Sequence, residues 1–374
     1  MDRKLLLAAI LIIAMTVMVI SVEIIDSPHP PVPVQKSVQK IDLKGRKLTV
    51  MTNHPHVRAA DLAAEWFHKE SGAIVRNIVV DYTEMLSYAV KDASSDDPQL
   101  DVIMFWYVDT GSLAEKGVLR DLTAFIEENR EILQPEDFIP SLYDPYTLYK
   151  GKRWALPYDG DTHVLFYRKS LLQKYGFSPP ETWDEFTVIA RTVTEKEKQN
   201  GIYGTAIMAR PAAMILVSSF VNRLGGFGGR MLDENSQPAI NSEEAVAALS
   251  ALMDQAAYAL PTPMETDWEV ARDAFLSGKI AMADQWTDIG IMAEDPEQSV
   301  IQGDWGAVQM PKGSGEKARH SPALNSGFSL GVSAKAKDPE AALAYLLFVS
   351  GWNNRLRLNL INGACRSVRI SVLN

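Results

Sequence analysis

A chain of 374 residues that is 47% hydrophobic, 22% charged and 9% aromatic has the composition of an ordinary globular protein, and its length fits two domains or one large one. The net charge of -10 disfavours nucleic acid as a partner, because such partners require clustered Lys and Arg. The single cysteine, Cys365, excludes a disulfide or a thiolate metal cluster within this chain.

The N-terminus predicts export. Arg3 and Lys4 precede the uncharged run Leu5–Val22, which is either a secretory signal or an uncleaved anchor. No small-x-small cleavage site precedes Glu23 and no lipoprotein cysteine follows, so retention by this helix is favoured over cleavage. We predict a signal or anchor helix at residues 1–26 and an extended Pro-rich spacer at 27–44.

The first half of the folded region alternates strands with helices, which predicts a right-handed βαβ domain. The predicted strands are Lys47–Thr52, Ile74–Val80 and Asp101–Trp106, and the last of these is a continuous apolar run typical of parallel sheets. Ligands of such sheets bind beyond the carboxyl ends of the strands. This edge is expected to carry four polar residues: His54, His56, Tyr107 and Asp109.

A polar segment, Asp159–His163, precedes the predicted buried strand Val164–Tyr167. The segment is interpreted as a loop at a ligand site, with an ordinary Asp-Gly turn as the alternative.

From Tyr175 onward helices dominate. Thr182 to Glu185 and Thr266 to Glu269 both have the spacing of a capping box. A third helix, capped by Asn241 and Glu244, is expected to bury three apolar residues: Val246, Leu249 and Met253. The remaining predictions are strands at Ile280–Trp286 and Phe328–Val332 and a helix at Ala341–Val349 that begins at Asp338 and Pro339.

Common catalytic motifs are absent from the sequence: it has no Walker motif, no G-x-S-x-G and no H-E-x-x-H. His54 and His56 lack a third metal ligand at a recognisable spacing. Asp159 and Asp161 could be the paired acids of a glycosidase, but two residues on one loop suit that chemistry poorly. We therefore predict no catalytic residues, no metal site and no cofactor.

Aromatic side chains near strand ends, together with carboxylates, favour sugar binding, because sugars offer both hydroxyls and apolar C–H faces. Each of three candidates has an alternative role. Asp109 could instead cap a helix, Trp106 could belong to the core, and Arg210 could be an ordinary surface charge. Trp183 and Trp268 are assigned to the core. The candidates are Trp106, Tyr107, Asp109, Tyr158, Asp159, Asp161, Arg210, Trp286, Asp288 and Asn325.

Several segments in the same order resemble the extracellular solute-binding proteins of ABC importers, in the sugar-binding group that includes maltose-binding protein. They read DVIMFWYVDTGSLAEKGVLRDL (from Asp101), LPYDGDTHVLFYRKSLLQKYGFSPPETWDEF (from Leu156), LGGFGGRML with INSEEAVAAL, WEVARDAFLSGKIAMADQW (from Trp268), WGAVQMPKG (from Trp305) and GFSLGVSAKAKDPEAALAYLLF.

The resemblance implies an α/β periplasmic-binding-protein-like fold, in which two lobes joined by a multi-strand hinge close on a sugar. It places 45–157 and 308–350 in lobe 1 and 158–307 and 351–374 in lobe 2. His56 and Phe328 join the ligand candidates, although many relatives have tryptophan where this chain has Phe328. The implied partners are a sugar or oligosaccharide, ABC permease subunits and, through the N-terminal helix, the outer face of a membrane. A monomer is expected.

The sequence departs from the family in two ways: its N-terminus resembles an anchor, and its end at Asn374 is expected to leave the second lobe truncated. Two alternatives remain open, a tethered sensor domain with the same fold and a secreted glycoside-cleaving enzyme that uses Asp159 and Asp161.

Overall fold

The structure is a computed structural model that describes residues 42–211, 215–235, 237–321, 325–351 and 368–373. Within these ranges, no helix has the length and apolar character needed to cross a bilayer. The predicted signal or anchor helix at 1–26 and most of the predicted spacer lie outside the described residues, as do 352–367 near the C-terminus.

The first half is a parallel α/β unit, as predicted. The elements are β1 (Lys47–Thr52), α1 (Val57–Ser71), β2 (Ile74–Val79), α2 (Met85–Ala93) and β3 (Val102–Trp106). Strand β1 pairs in parallel with β2 on one side and β3 on the other. Helix α1 ends where Gly72 adopts a left-handed conformation with φ of 74°.

Short helices and a small hairpin follow β3 and lead to the centre of the chain. They are α3 (Thr110–Glu115), α4 (Thr123–Glu128), α5 (Arg130–Leu133), α6 (Pro140–Thr147), β4 (Leu148–Tyr149) and β5 (Lys152–Arg153).

A 13-residue strand, β6 (Leu156–Arg168), connects the two halves of the sheet. Residues 156–162 pair with β9 (Asn325–Val332), which in turn pairs with β3. From residue 163 onward β6 pairs instead with β7 (Met282–Trp286) and, from residue 165, with β8 (Trp305–Val308). The strand order is β2-β1-β3-β9-β6-β7, and β8 also pairs with β6. Strand β6 therefore changes its pairing partner in the middle of its length.

The interpretation of Asp159–His163 as a loop or turn is wrong, since all five residues belong to β6. This segment forms a strand despite its polar side chains, because its backbone N–H and C=O groups pair with those of β9. A β-bulge between Pro157 and Asp159 shifts the register.

The helices of the second half are α7 (Lys169–Lys174), α8 (Trp183–Glu197), α9 (Ile215–Gly226), α10 (Glu243–Ala256), α11 (Trp268–Leu276) and α12 (Ile289–Glu294). The capping box of Thr182 and Glu185 is confirmed. The second predicted box is wrong by one residue: Asp267 caps α11 by accepting from the Val270 N–H, while the Thr266 hydroxyl donates to the Thr262 carbonyl.

The predicted core face of α10 is also wrong. Val246, Leu249 and Met253 are 57%, 50% and 65% exposed, whereas Ala245 and Ala248 are buried. The helix therefore packs through its small side chains, with Ser242 rather than Asn241 as its cap. Close approach to α9 explains this choice, because alanine lets two helices pack at short distance.

The last elements are α13 (Pro339–Ser350), capped by Asp338 as predicted, and the short helix α14 (Ile370–Leu373). The fully buried Arg369 fixes the start of α14: its guanidinium donates to the carbonyls of Leu133 and Ser350, both at 2.7 Å. The described C-terminal residues therefore contact elements that the sequence-based division assigns to lobe 1.

Candidate functional site

A cavity opens where β1 and β3 end, beside the middle of β6 and the end of β7. We call it the inner chamber. It encloses about 530 Å³ when the open solvent at its mouth is included. Its lining is Asn53, Pro55, His56, Tyr82, Trp106, Asp159, Asp161, Trp268, Trp286, Asp288, Ser326 and Phe328.

One wall of the inner chamber is a row of aromatic rings. Tyr82 contacts Trp106 with ring centroids 5.9 Å apart, and Trp106 stacks on Phe328 at 6.2 Å. Phe328 meets the edge of His56 at 4.9 Å. Trp106 and Phe328 are brought together because they are paired residues on β3 and β9. The wall offers the flat apolar surface that C–H faces of a ligand can contact.

A buried histidine lies beside this wall, between an amide and a carboxylate. The Asn53 Oδ1 atom accepts the His56 backbone N–H at 3.3 Å and lies 2.7 Å from His56 Nδ1, so Nδ1 must carry a proton and donate it. The other ring nitrogen, Nε2, lies 3.3 Å from Oδ2 of Asp159.

Asp161 joins β6 to the segment that follows β7. Its Oδ1 accepts from the Thr287 hydroxyl at 2.5 Å and the Thr287 N–H at 3.2 Å, and also from the Thr162 N–H at 2.8 Å. Asp159 and Asp161 are two residues apart on one strand, so both face the inner chamber. The carboxylates thus enter the site from the strand that connects the two halves of the sheet.

Behind Trp286 lies a buried polar network that links strands to helices. His163 packs edge-on against the Trp286 ring at 4.1 Å, and its Nδ1 accepts from Asn222 at 2.7 Å. The Asn222 amide lies 3.2 Å from Asp284, which also pairs with the fully buried Arg223 at 3.0 Å. The network fixes the position of α9 against β6 and β7, and so supports the Trp286 side of the chamber.

Burial lowers the pKa of His163 from its ordinary value of 6.5 to about 4, because the enclosed imidazole cannot be solvated when charged. The unfolded chain therefore binds an extra proton between these two values, and the folded state should lose about 3 kcal/mol as the pH falls from 6.5 to 4. Urea unfolding at several pH values checks this: in His163→Gln the loss of stability should be smaller than in the unchanged chain. Equal pH dependence of the two chains would contradict the assignment.

A second cavity adjoins the first, and we call it the outer chamber. It encloses about 1120 Å³, including open solvent, and is lined by His54, Pro55, Asp81, Tyr82, Thr83, Arg210, Pro211, Asp267, Trp268 and Glu269. Pro55, Tyr82 and Trp268 line both cavities. These three residues therefore form the neck between the chambers.

The structure gathers six of the candidate residues in the inner chamber: His56, Asp159, Asp161, Trp286, Asp288 and Phe328. Trp106, a further candidate, lines it too, and Arg210 lines the outer chamber. For Asn325, whose side chain lies outside the described residues, only the backbone pairing with Thr162 is defined.

Three candidates line neither chamber. Tyr107 stacks on Tyr146 at 4.2 Å, and burial raises the pKa of its hydroxyl. Asp109 precedes α3 without a side-chain capping bond, and burial raises the pKa of its carboxyl. Tyr158 is buried with its ring 5.7 Å from that of His56. These residues lie behind the site or beside it.

Five lining residues of the inner chamber were missed by the sequence reasoning: Asn53, Pro55, Tyr82, Trp268 and Ser326. Asn53 and Pro55 flank the predicted residues His54 and His56, so the strand-end rule could have found them. Trp268 was assigned to the core because it begins a helix. The helix begins at the mouth of the cavity, which no local pattern reveals.

Comparison with known proteins identifies the family. The family model described as bacterial extracellular solute-binding protein matches residues 56–351. A probable ABC transporter-binding protein of Deinococcus radiodurans is 30% identical over 211 residues, covering 55% of this chain. The match covers 49% of that relative, so the chain spans about half its length.

Two solved structures share the fold. A solute-binding protein from Agrobacterium radiobacter K84 in complex with ribitol has a TM-score of 0.79 and 25% identity, covering 88% of this chain and 82% of its own. Maltose-bound MalE3 of T. maritima has a TM-score of 0.77 and 26% identity, covering 88% and 83%. The predicted resemblance and the two-lobe α/β fold are confirmed.

Proposed function

This chain belongs to the family of bacterial extracellular solute-binding proteins, and we propose that it captures a carbohydrate or polyol between two lobes and delivers it to an ABC permease. The inner chamber carries this proposal, because it combines a wall of aromatic rings with Asp159, Asp161 and Asp288. Such a mixture suits a neutral ligand whose hydroxyl groups donate to carboxylates while its C–H faces contact the rings.

Two further donors support a polyhydroxylated ligand. Asn53 and Trp286 are buried at the chamber, and among the described residues Asn53 Nδ2 and Trp286 Nε1 have no hydrogen-bond partner. A buried donor without a partner is costly. A ligand hydroxyl that accepts from either group removes this cost, and we propose that role for both.

We propose a hinge at residues 162 and 163, where β6 exchanges β9 for β7. The inner chamber takes Asn53, His56 and Trp106 from one side of this point and Trp268 and Trp286 from the other. A ligand favours closure only through contacts that differ between the open and closed states. Contacts to both sets of residues supply that difference.

Family membership also supports an extracytoplasmic location and a permease partner. We propose export directed by residues 1–26, with the apolar run Leu5–Val22 retaining the chain at the membrane, and we propose a monomer. Cell fractionation tests the anchor: release of the chain by salt alone would contradict it.

The test of the function is thermal unfolding of the full chain with a panel of polyols, monosaccharides and oligosaccharides. A ligand at one hundred times its dissociation constant should stabilise the fold by about 2.7 kcal/mol and raise Tm by several degrees. The solute should be recovered unaltered. No shift with any panel member, in a chain that unfolds cooperatively, would overturn the carbohydrate assignment.

Asp159→Asn is the variant that links this binding to the chamber. We expect the dissociation constant of the best ligand to rise at least tenfold, because a hydrogen bond to a charged group contributes about 1.5–3 kcal/mol. Titration calorimetry measures the change. Asp254→Asn is the matched control, since Asp254 is exposed on α10 and lines neither chamber. Equal affinities of the two variants would remove Asp159 from the site.

A further inference from the structure

The residues that line the inner chamber carry an excess of negative charge. The acidic side chains are Asp159, Asp161 and Asp288. Among the described residues that form this lining, none is lysine or arginine, and His56 is the only side chain that can become a cation. Three ionised carboxylates and one imidazole therefore leave at least two negative charges without a compensating positive charge, even when both nitrogens of the imidazole are protonated.

These carboxylates are largely removed from water. Asp159 is 1% exposed, Asp161 is 8% exposed, and Asp288 is partly buried. The protein stabilises Asp161 with hydrogen bonds from Thr162 and Thr287, which are neutral donors and leave the sum of charges unchanged. Burial of a charge without a counter-charge is costly, and like charges in one enclosure add to that cost. A bound cation lowers this cost, whereas a neutral solute does not.

Two arginines of the surrounding elements already have carboxylate partners. Arg210, which lines the outer chamber, pairs with Asp267 at 2.5 Å. Arg223, in the network behind Trp286, pairs with Asp284 at 3.0 Å. Because the charges balance within each pair, neither arginine compensates the carboxylates of the inner chamber. The excess of negative charge is a property of the chamber itself.

The aromatic rings of the lining favour the same kind of solute. The rings are those of Tyr82, Trp106, Trp268, Trp286 and Phe328. The face of an aromatic ring carries negative charge density and attracts a cation within roughly 6 Å, most strongly when the ring is tryptophan. A protonated amine in this chamber therefore interacts favourably with the rings as well as with the carboxylates. An acidic group of a solute is repelled by both.

The chamber also requires acceptors, which a protonated amine lacks. Asn53 is 1% and Trp286 8% exposed, and within the described part of the chain neither Asn53 Nδ2 nor Trp286 Nε1 has a hydrogen-bond partner. Both groups are N–H donors, so they need an oxygen of the solute, such as a hydroxyl or a ring oxygen. The solute that satisfies the whole lining therefore combines a cationic amine with several oxygen atoms.

From this balance of charge we propose that the solute is an amino carbohydrate, a sugar or polyol in which a protonated amine replaces a hydroxyl. The amine lies among the carboxylates of Asp159, Asp161 and Asp288. Oxygen atoms of the same solute accept from Asn53 and Trp286. The inference rests on the proposed function and narrows its ligand class, because a neutral carbohydrate meets the hydrogen bonds of the chamber but leaves its charge uncompensated.

Pairs of solutes that differ by one charge test the inference. The pairs are glucose with glucosamine, galactose with galactosamine, mannose with mannosamine, sorbitol with glucamine, and cellobiose with the corresponding dimer of glucosamine. Titration calorimetry on the full chain is carried out at about pH 6.5, where an amine of α-amino basicity is protonated. For the pair that binds most tightly, we expect the dissociation constant of the amine to be at least roughly tenfold lower, as a charge-assisted hydrogen bond allows.

Two further solutes separate charge from shape. N-acetylglucosamine keeps the nitrogen of glucosamine but not its charge, so it should lose the advantage over glucose. Glucuronate carries the opposite charge and should bind more weakly than glucose. Glucuronate that binds as tightly as glucose would contradict the electrostatic argument.

The variant Asp288→Asn assigns the advantage to the lining. The Asp288 side chain does not cap the helix α12 that follows it, so the amide replaces the carboxylate without loss of a cap. We expect the ratio of the two dissociation constants, neutral solute over amine, to fall several-fold. A purely structural effect weakens both members of a pair alike and leaves this ratio unchanged. Asp254→Asn is the matched control, because Asp254 is exposed on α10 and lines neither chamber.

The outcomes distinguish this inference from the proposed function. If neutral solutes bind and their amines bind equally or more weakly, the inference is overturned and the carbohydrate receptor stands. An amine advantage that is the same in Asp288→Asn and in Asp254→Asn would remove the carboxylate of Asp288 from the recognition of charge and overturn the proposed placement of the amine. Absence of binding by every neutral and amino solute would overturn the proposed function and this inference together.

Discussion

Replacing Arg223 with methionine should lower the free energy of unfolding by about 3–5 kcal/mol. The guanidinium is fully buried, pairs with Asp284 at 3.0 Å, and donates to the Gln255 side chain at 2.6 Å and the Ser219 carbonyl at 2.7 Å. Methionine keeps much of the apolar volume but leaves the buried Asp284 carboxylate without its cation. Breaking one partner of a buried pair costs far more than removing an exposed pair, since the remaining charge stays desolvated.

Urea unfolding measures this effect, with Arg230→Met as the matched control. Arg230 pairs with Glu234 at 3.7 Å on the surface, where both side chains are mostly exposed, so its loss should cost about 0–1 kcal/mol. A second variant, Arg223→Met with Asp284→Leu, should recover part of the stability by removing the buried charge. If the two single Arg→Met changes lower the free energy of unfolding equally, the buried network contributes no more to stability than the exposed pair.

Gly327→Ala should be destabilising by roughly 3 kcal/mol or more and should also weaken ligand binding. Gly327 has φ of 142°, and a Cβ atom there would lie 2.0 Å from the Asp159 backbone carbonyl oxygen. Strain and overpacking each cost about 1–3 kcal/mol. Because Gly327 pairs with Gly160 on β6, relief of the clash requires β6 and β9 to separate beside the carboxylates of the inner chamber.

The control for Gly327→Ala is Gly303→Ala. Gly303 also has positive φ, 69°, but no atom lies within 4 Å of its added Cβ, so only the conformational cost of about 1 kcal/mol remains. Unfolding in urea and calorimetric titration of the best ligand report the two effects separately. If both glycine variants lose similar stability and keep full affinity, the close packing of β6 on β9 does not support the site.

The sequence predicted most strands and helices because their signals are local. Lys47–Thr52 alternates as a strand, and Asp338 with Pro339 begins α13 as expected. The failures involve long-range partners. Asp159–His163 resembled a loop because the strand that satisfies its backbone lies more than 160 residues further along the chain. On α10, periodicity could not tell that alanines rather than Val246, Leu249 and Met253 face the neighbouring helix.

The sequence predicted which strand ends contribute to the site. It did not predict which residues from the second half of the chain lie beside those strand ends. His56 and Trp286 follow from rules on strand termini and aromatic exits. Asp159 was predicted through its polar segment, although that segment is a strand and not a loop. Trp268 and Tyr82 line the same two cavities only in the folded chain, because their segments lie almost 190 residues apart in the sequence. The outer chamber is built from residues of both segments. No motif of either segment predicts it.

The continuity of β6 also restricts how the gene can change. Side chains alternate along a strand, so an insertion or deletion of one residue inverts every position on one side of it. Within β6 such a change would turn either the carboxylates Asp159 and Asp161 or the residues His163 and Leu165 to the opposite face. Tolerated insertions and deletions should therefore fall at the bulge near Tyr158 or add or remove two residues at a time. Any other change in the length of β6 would disturb the side-chain alternation in one half of the protein relative to the other.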